Sequence, residues 1–348
     1  MDREHVIVEQ VRNSVAANGR LSIRGGGSKT FYAGPHQGQA LEVGTHEGIL
    51  DYDPGELVLT CRAGTRLASL KSRLAENGQH LPFEPPAFGE TATVGGTVAC
   101  GFSGPSRPWA GSLRDYLLGV KTVNGHGKCL QFGGQVMKNV AGYDVSRLMA
   151  GSLGTLGVIL EVSVKVLPRP ASELTLTFDC GQAEAIDRVA AWSGQPLPLS
   201  AAAWHAGRLS VRLSGAESET AAAAEAMGSG EAVHDPEFWR ALREHELQFF
   251  RTDDPLWRLS LPANAEPIDL DGDLLLDWGG AQRWYTGPAS VDDVRSAARA
   301  ARGHATLFRG EIAGVARFQP PPAPLQALND RVRRAFDPLG LFNRAVEG

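Results

Sequence analysis

Residues 23–30 read IRGGGSKT, which places three consecutive glycines between a short apolar segment and a Lys-Thr pair. A P-loop requires glycine directly before its Lys-Ser or Lys-Thr pair, and Ser28 holds that position here. The stretch is therefore not a Walker loop. Consecutive N–H groups in a strand-to-glycine turn can form a concave anion site, and an ordinary loop is the alternative interpretation.

Two further glycine-rich segments follow, TATVGGTVACG at residues 91–101 and GSLGTLGVI at residues 151–159. The second has the spacing GxxGxxG and leads into a strand, whereas a Rossmann fingerprint has GxGxxG and leads into a helix. Glycine accounts for 41 of the 348 residues, and 26 of these lie before residue 170. Three such clusters are hard to explain as three independent linkers.

Length and charge limit the function classes. At about 150 residues per domain, 348 residues predict two domains. The formal net charge is -5 without a run of like charges, which argues against a nucleic-acid or membrane-surface partner. The first residues lack a signal-peptide pattern, and no window is apolar enough for a spanning helix, so we expect a cytoplasmic protein without a transmembrane segment.

Cysteine and histidine usage predicts no metal site. The four cysteines are far apart and form no C-x-x-C pair, which excludes a disulfide framework and a zinc or iron–sulfur motif. The nine histidines are scattered, and His245-Glu246 lacks the second histidine of a zinc helix.

The apolar pattern of the first half predicts mixed helices and strands. Leu67, Leu70 and Leu74 share one face of a helix that Thr65 would cap and Gly78 would end. The other predicted elements are a helix over 3–18, strands over 21–24, 56–62 and 161–166, and short strands with glycine loops over 86–157.

Pro168-Arg169-Pro170 is the predicted domain boundary, because two prolines stiffen a connector. Beyond it, strands and helices alternate in an order typical of antiparallel sheets with helices on one side, an α+β architecture. The predicted strands are 173–178, 200–204, 208–213, 256–261, 273–278, 281–286 and 304–308, and the predicted helices are 182–192, 217–227, 290–302 and 325–336.

The order of motifs resembles the FAD-binding subunits (E subunits) of bacterial glycolate oxidases, within the PCMH-type or vanillyl-alcohol-oxidase-type flavoproteins. The matching segments are IRGGGSK, GQHLPFEPP, ATVGGTVA, GSLRDYLLG, GGQVMKNVAGYDVSRLMAGSLGTLGVI and FDPLGLFN. The resemblance covers about residues 20–170 and 325–343, and KNVAGYD (138–144) with GSLGTLGVI is its most specific part. It implies a two-part FAD domain (1–168), an α+β antiparallel-sheet cap (169–318) and a C-terminal segment (319–348) that returns to the FAD domain.

The resemblance also implies a set of cofactor-binding residues. On the FAD pyrophosphate it places Arg24, Gly25, Gly26, Gly27, Ser28 and Lys29, and along the flavin and pyrophosphate it places Thr91, Thr93, Gly95, Gly96 and Thr97. Ser112, Arg114 and Asp115 match a GSxRD motif that is partly cofactor wall and partly packing. The adenosine end would take Gly151, Gly154, Thr155, Gly157 and Ile159, and Asn343 would return towards the flavin.

Departures from the family pattern shape the functional prediction. Relatives with covalent flavin carry His or Cys near Ser28 and Lys29 or in the 86–92 region, so FAD is expected to be non-covalent here. Larger 2-hydroxy-acid-oxidising relatives carry an HxHxGDGN segment that this chain lacks. The tail departs too, since Asn343 is followed by Arg344-Ala345 where the family usually continues Pro-Gly-Arg.

The implied function is therefore that of an FAD-binding subunit in a complex that oxidises glycolate or another 2-hydroxy acid. A larger flavoprotein subunit and an iron–sulfur subunit would be its partners, and peripheral attachment to the inner membrane through them is one option. The alternatives are a self-sufficient FAD-dependent 2-hydroxy-acid dehydrogenase and a structural subunit that has lost its flavin. The cap is rich in Trp and Arg, but no residue in it can be named as a catalytic base from the sequence. The exposed aromatic residues of 238–260 are the predicted contact with a partner subunit.

Overall fold

The computed structural model describes residues 1–33, 37–134, 144–228 and 230–343. The chain divides into two compact units. The first comprises residues 1–103, 111–169 and the chain from Pro320, and the second comprises residues 104–110 and 170–319. No helix in the described ranges is long and apolar enough to cross a membrane.

The first unit mixes short helices with nine strands in its described part. Its helices are α1 (Glu4–Ala16), α2 (Thr30–Ala33), α3 (Leu67–Ala75), α4 (Val94–Cys100), α6 (Leu113–Tyr116), α7 (Val145–Met149) and α12 (Ala323–Phe336). Its strands are β1 (Leu21–Arg24), β2 (Gln39–Glu42), β3 (Ile49–Asp53), β4 (Val58–Arg62), β5 (Gln79–His80), β6 (Leu117–Val123), β7 (Cys129–Gly133), β8 (Val158–Lys165) and β9 (Leu167–Pro168).

An antiparallel five-stranded sheet in the order β3-β4-β8-β6-β7 carries the core of this unit. Leu59 in β4 and Val162 in β8 are completely buried, and α1 and α3 add Val11 and Leu74 to the same cluster. Separately, β1 and β2 form a two-stranded parallel sheet. This small sheet matters for function because β1 ends at the first glycine cluster.

Two local predictions in the first unit are wrong. Thr65 does not cap α3, because its hydroxyl accepts the N–H of Gly48 (3.0 Å) and donates to the carbonyl of the same residue (3.2 Å). The stretch 91–101 is not a plain glycine loop, since it contains α4 with Thr93 as its N-cap. Tertiary hydrogen bonds stabilise this helix despite its two glycines: the N–H of Val94 donates to Thr65 and that of Gly95 to Ala63.

The second unit is built on an eight-stranded sheet in the order β13-β10-β12-β11-β15-β16-β14-β17, and its strand pairs are antiparallel. The strands are β10 (Ser172–Asp179), β11 (Leu199–His205), β12 (Arg208–Gly215), β13 (Glu231–Val233), β14 (Leu256–Ser260), β15 (Asp273–Asp277), β16 (Gln282–Thr286) and β17 (His304–Arg309). The helices are α5 (Arg107–Ala110), α8 (Gln182–Ser193), α9 (Glu217–Met227), α10 (Pro236–Glu244) and α11 (Val291–Ala300). The predicted strands and helices of this half are confirmed, and α5, α10 and β13 are additional.

The short segment 104–110 belongs to the second unit, although the sequence analysis placed it within the FAD domain. Its contacts explain the difference. The indole N–H of Trp278 donates to the carbonyl of Gly104 (2.9 Å), and the Arg107 guanidinium lies 4.4 Å from the centre of the Trp278 ring. Trp109 packs against the apolar cluster of the same unit.

The predicted partner contact at 238–260 is wrong for four of its five aromatic residues, and the fifth, Phe238, is half-buried. Trp239, Phe249, Phe250 and Trp257 are all buried within the chain. Trp239 also donates its indole N–H to Thr175 (2.9 Å), as a buried tryptophan is expected to do. These aromatic residues are core and do not form a docking surface.

Arg283 is a fully buried cation that organises one loop of the second unit. Its guanidinium donates to the carbonyls of Gly280 (3.3 Å), Glu266 (2.7 Å) and Ala265. Burial lowers the pKa of Arg283 to about 10, and the charge of Glu266 opposes this shift. Three loop carbonyls therefore depend on a single side chain.

We expect Arg283→Met to destabilise the second unit by about 1–3 kcal/mol, because the carbonyl of buried Gly280 loses its donor and such a loss costs roughly 1–3 kcal/mol. Urea unfolding followed by tryptophan fluorescence measures the effect. Arg208→Met is the matched control, since the Arg208 side chain is 54% exposed. Equal unfolding midpoints for the two variants would contradict the role assigned to Arg283.

His46 links the N-terminus to the first unit and is completely buried. Its Nδ1 accepts the backbone N–H of Arg3 (3.0 Å) and lies 3.7 Å from Asp2. Burial lowers the pKa of His46 below its ordinary value of 6.5, an effect that the charge of Arg62 reinforces and that of Asp2 opposes. The native state therefore holds the imidazole neutral.

Acid should destabilise this unit. Below pH 6.5 the unfolded chain binds a proton that native His46 does not, so the free energy of unfolding falls by up to about 1.4 kcal/mol per pH unit, until the pH reaches the native pKa. We expect His46→Asn to reduce this slope between pH 7.5 and 5.5 in urea unfolding. His5→Asn, at a side chain that is 90% exposed, is the control. An unchanged slope in His46→Asn would refute the assignment.

Candidate functional site

A cleft of about 830 Å³ opens in the first unit at the end of β1. Its volume lies in the range of small-molecule and cofactor sites. Seven of its 23 lining residues are glycines, contributed by all three glycine-rich segments. The lining residues are Ser22, Ile23, Arg24, Gly25, Gly26, Gly27, Ser28, Lys29, Thr30, Phe31, Ala33, Glu42, Val43, Ala63, Gly95, Gly96, Ala99, Cys100, Leu153, Gly154, Gly157, Ile159 and Asn343.

The loop from Gly25 to Ser28 presents backbone donors to this cleft. Within the described ranges, its four N–H groups donate no hydrogen bond to the protein. Gly27 has a φ of +76°, a left-handed conformation that favours glycine, and a Cβ added there would meet no atom within 4 Å. An open loop of unbonded N–H groups is suited to an anion.

The back of the same loop packs directly on Thr91 and Thr93. A Cβ on Gly26 would lie 1.5 Å from the carbonyl oxygen of Thr91, and one on Gly25 would lie 2.7 Å from Oγ1 of Thr93. Thr93 Oγ1 already accepts the N–H of Gly96 (3.2 Å) as the cap of α4. Glycine is therefore required here by the close approach of the loop to its wall.

The third glycine segment forms a turn on the other side of the cleft. Gly154 has a φ of +74°, and a Cβ there would lie 2.8 Å from Nδ2 of Asn343. Asn343 accepts the N–H of Ile23 at Oδ1 (2.9 Å) and donates from Nδ2 to the carbonyl of Leu153 (3.1 Å). Asn343, which lines the cleft, therefore joins the strand that leads into the first glycine loop to the turn of the third glycine segment.

Lys29 provides a cation at the cleft although it is only 6% exposed. Its Nζ donates to the carbonyl of Ala87 (3.0 Å) and to Ser28 Oγ (3.3 Å), and it lies 6.0 Å from the centre of the Phe88 ring. Burial raises the pKa of the Cys100 thiol to about 11, and the charge of Lys29 opposes this shift. Cys100 is therefore a neutral thiol at neutral pH.

The GSxRD residues do not line the cleft. Ser112 and Asp115 form the capping box of α6, in which the Asp115 carboxylate accepts both the N–H and the hydroxyl of Ser112 (2.8 Å each). Arg114 donates to the carbonyl of Ala150 (3.1 Å), next to the third glycine segment. In this structure these three residues stabilise α6 and its contact with Ala150.

Twelve of the twenty predicted cofactor-binding residues line the cleft. Eight do not: Thr91, Thr93, Thr97, Ser112, Arg114, Asp115, Gly151 and Thr155. Thr97 donates its hydroxyl to Thr93, Thr155 donates to Ser152, and the N–H of Gly151 donates to Val98. Eleven lining residues are not among the predicted cofactor-binding residues, namely Ser22, Ile23, Thr30, Phe31, Ala33, Glu42, Val43, Ala63, Ala99, Cys100 and Leu153.

Three of these eleven, Ile23, Thr30 and Leu153, directly adjoin a predicted residue, and five more lie within four positions of one, so extending each motif by a few positions would have found them. Glu42, Val43 and Ala63 have no such signal. Glu42 and Val43 reach the cleft through the parallel pairing of β2 with β1. Most of the KNVAGYD motif, residues 138–143, lies outside the described residues. Asp144 accepts the N–H of Arg147 at the start of α7 (3.1 Å).

Comparison with known proteins identifies the class. Residues 4–133 match the family model described as "FAD binding domain". The chain superposes on a structure of alkyldihydroxyacetonephosphate synthase with a TM-score of 0.68 and 14% identity, over 99% of this chain and 74% of that one. The α+β fold of the PCMH-type, vanillyl-alcohol-oxidase-like flavoproteins is confirmed, and the cofactor is FAD.

More specific relatives are glycolate oxidase subunits. The chain is 47% identical to glycolate oxidase subunit GlcE of Escherichia coli (strain K12) over 342 residues, 98% of this chain and 96% of that protein. It is 31% identical to glycolate oxidase subunit GlcD of Bacillus subtilis (strain 168) over 167 residues, 47% of this chain and 35% of that protein. The chain belongs to the GlcE family of flavoprotein subunits.

Proposed function

We propose that this chain is the FAD-binding subunit of a complex that oxidises glycolate or a similar 2-hydroxy acid. FAD would lie in the glycine cleft, and when bound it supplies the hydride-accepting chemistry that such an oxidation requires. Electrons would then pass to an iron–sulfur partner, and a larger flavoprotein subunit would complete the assembly. The subunit names of the relatives support a complex of several chains.

The observation that carries this proposal is the unbonded donor set of residues 25–28. A diphosphate needs N–H donors and a nearby cation, and the cleft is lined by this loop, whose N–H groups donate no hydrogen bond within the described structure, and by Lys29. The neighbouring glycines leave room for a flat ligand to approach the backbone. The residues present therefore fit FAD, with Arg24 to Lys29 at its pyrophosphate.

The visible spectrum of the purified chain separates the three functional hypotheses. Flavin absorbance that does not bleach on anaerobic addition of glycolate supports an FAD-binding subunit that depends on partners. Bleaching by glycolate alone would instead support the self-sufficient dehydrogenase. A colourless chain that does not take up added FAD would support the structural subunit and overturn the proposal.

We predict that the FAD is held without a covalent bond. Ser28 and Lys29 occupy the loop positions at which covalent relatives carry an attachment residue, and the Cys100 thiol is protonated at neutral pH because burial raises its pKa to about 11. Acid precipitation should release all the yellow colour into the supernatant. Colour that remains in the washed pellet would disprove the prediction.

A further inference from the structure

The last residues of the described chain run along the free edge of β1. Strand β1 pairs with β2 on one side only. On the other side the N–H of Leu21 donates to the carbonyl of Leu341 (2.8 Å), and the N–H of Ile23 donates to Oδ1 of Asn343 (2.9 Å). The C-terminal segment thus satisfies two alternate donors of β1, immediately before the glycine loop begins.

The same segment is firmly attached to the first unit. Leu341 and Phe342 are almost completely buried in its core. The buried carboxylate of Asp337 accepts the N–H groups of both residues (2.9 Å each), which fixes the turn that leads into Asn343. The backbone that precedes Asn343 is therefore fixed, and it places Asn343 at the cleft.

The Asn343 carboxamide makes both bonds, which a side chain that only accepts or only donates could not do. Ile23 offers an N–H and requires an acceptor, whereas Leu153 offers a carbonyl and requires a donor. Leu153 has a left-handed φ of +52°, unusual for leucine, and its N–H donates to Ala99 (2.8 Å). Asn343 thus holds one end of a strained turn against the strand that carries the loop.

We propose that Asn343 is a positioning residue that couples the C-terminal segment to FAD binding. It holds the 25–28 loop and the 151–157 turn at the spacing that the cofactor requires, and it acts through Ile23 and Leu153. This inference rests on the proposed cofactor cleft. Because coupling between two sites is reciprocal, bound FAD should in turn stabilise the C-terminal segment.

The test measures FAD affinity and amide exchange in the full chain. In Asn343→Ala we expect the Kd for FAD, from flavin fluorescence titration, to rise by about tenfold or more, since two buried hydrogen bonds are lost. Asn343→Asp should behave similarly, because a carboxylate cannot donate to Leu153. Asn329→Ala, at an exposed position of α12, is the matched control.

Hydrogen exchange distinguishes a role of Asn343 in positioning the cofactor loops from a role in the stability of the fold alone. In the wild type, FAD should slow exchange at the amides of Ile23 and Leu341, and in Asn343→Ala this protection should be lost although the variant remains folded. An unchanged Kd in the folded variant would overturn the proposal. If FAD binds the wild type without any protection of these amides, and Gly27→Ala binds normally, the cleft assignment fails instead.

Discussion

Gly26→Ala will remove FAD from the purified chain. The added Cβ would lie 1.5 Å from the carbonyl oxygen of Thr91 and 2.5 Å from its carbonyl carbon, and both atoms belong to backbone that cannot rotate away. The loop must therefore separate from its wall, and its N–H groups lose their arrangement. Overpacking typically costs about 1–3 kcal/mol before the lost contacts to the ligand are added, so flavin content should fall at least tenfold.

Gly27→Ala, with Gly78→Ala as its control, tests whether FAD binding is lost when no Cβ clashes with Thr91. Both glycines have a left-handed φ, +76° and +62°, and at neither would a Cβ meet an atom within 4 Å. Each variant therefore carries a backbone strain of about 1–2 kcal/mol, but only Gly27 lines the cleft. We expect FAD content to fall in Gly27→Ala and to be retained in Gly78→Ala. Wild-type flavin content in Gly26→Ala would mean that the loop is an ordinary turn.

Elements whose pattern is local could be predicted from the sequence. Strand 208–213 and helix 217–227 were predicted from apolar period and turn residues, and they are present as β12 and α9. The proline pair at 168–170 lies where the chain passes from one compact unit to the other. At the site, the loop 25–28 could be predicted because three consecutive glycines are recognisable from the local sequence alone.

Features that depend on distant residues could not be predicted in this way. Helix α4 contains two glycines that lower its propensity, and hydrogen bonds from Val94 to Thr65 and from Gly95 to Ala63 stabilise it. Glycine is needed at position 95 because a Cβ there would lie 2.6 Å from that of Ala63. Glu42 reaches the cleft only through strand pairing. The aromatic residues of 238–260 have the composition of an interface, but composition does not distinguish an interface from a core.

The function itself should require other chains. The four cysteines form no C-x-x-C pair, and among the described residues no group of three or more His, Cys, Asp or Glu side chains is placed to hold a metal ion. Cys61 is also buried, and burial raises its pKa to about 12. In the proposed complex, the iron–sulfur subunit would provide the route for single-electron export from the flavin.

We expect the purified chain alone to show no useful glycolate-dependent dye reduction, and a complex co-purified with the proposed larger flavoprotein and iron–sulfur subunits to turn over at about 1 per second or more, within the usual range of enzymes. The difference should be at least about a hundredfold. A complex assembled with Gly26→Ala reports whether FAD in this subunit is needed, and one assembled with Gly78→Ala controls for the substitution. Turnover near 1 per second from the single chain would instead identify a self-sufficient dehydrogenase, since one polypeptide would then both oxidise the substrate and reduce the dye.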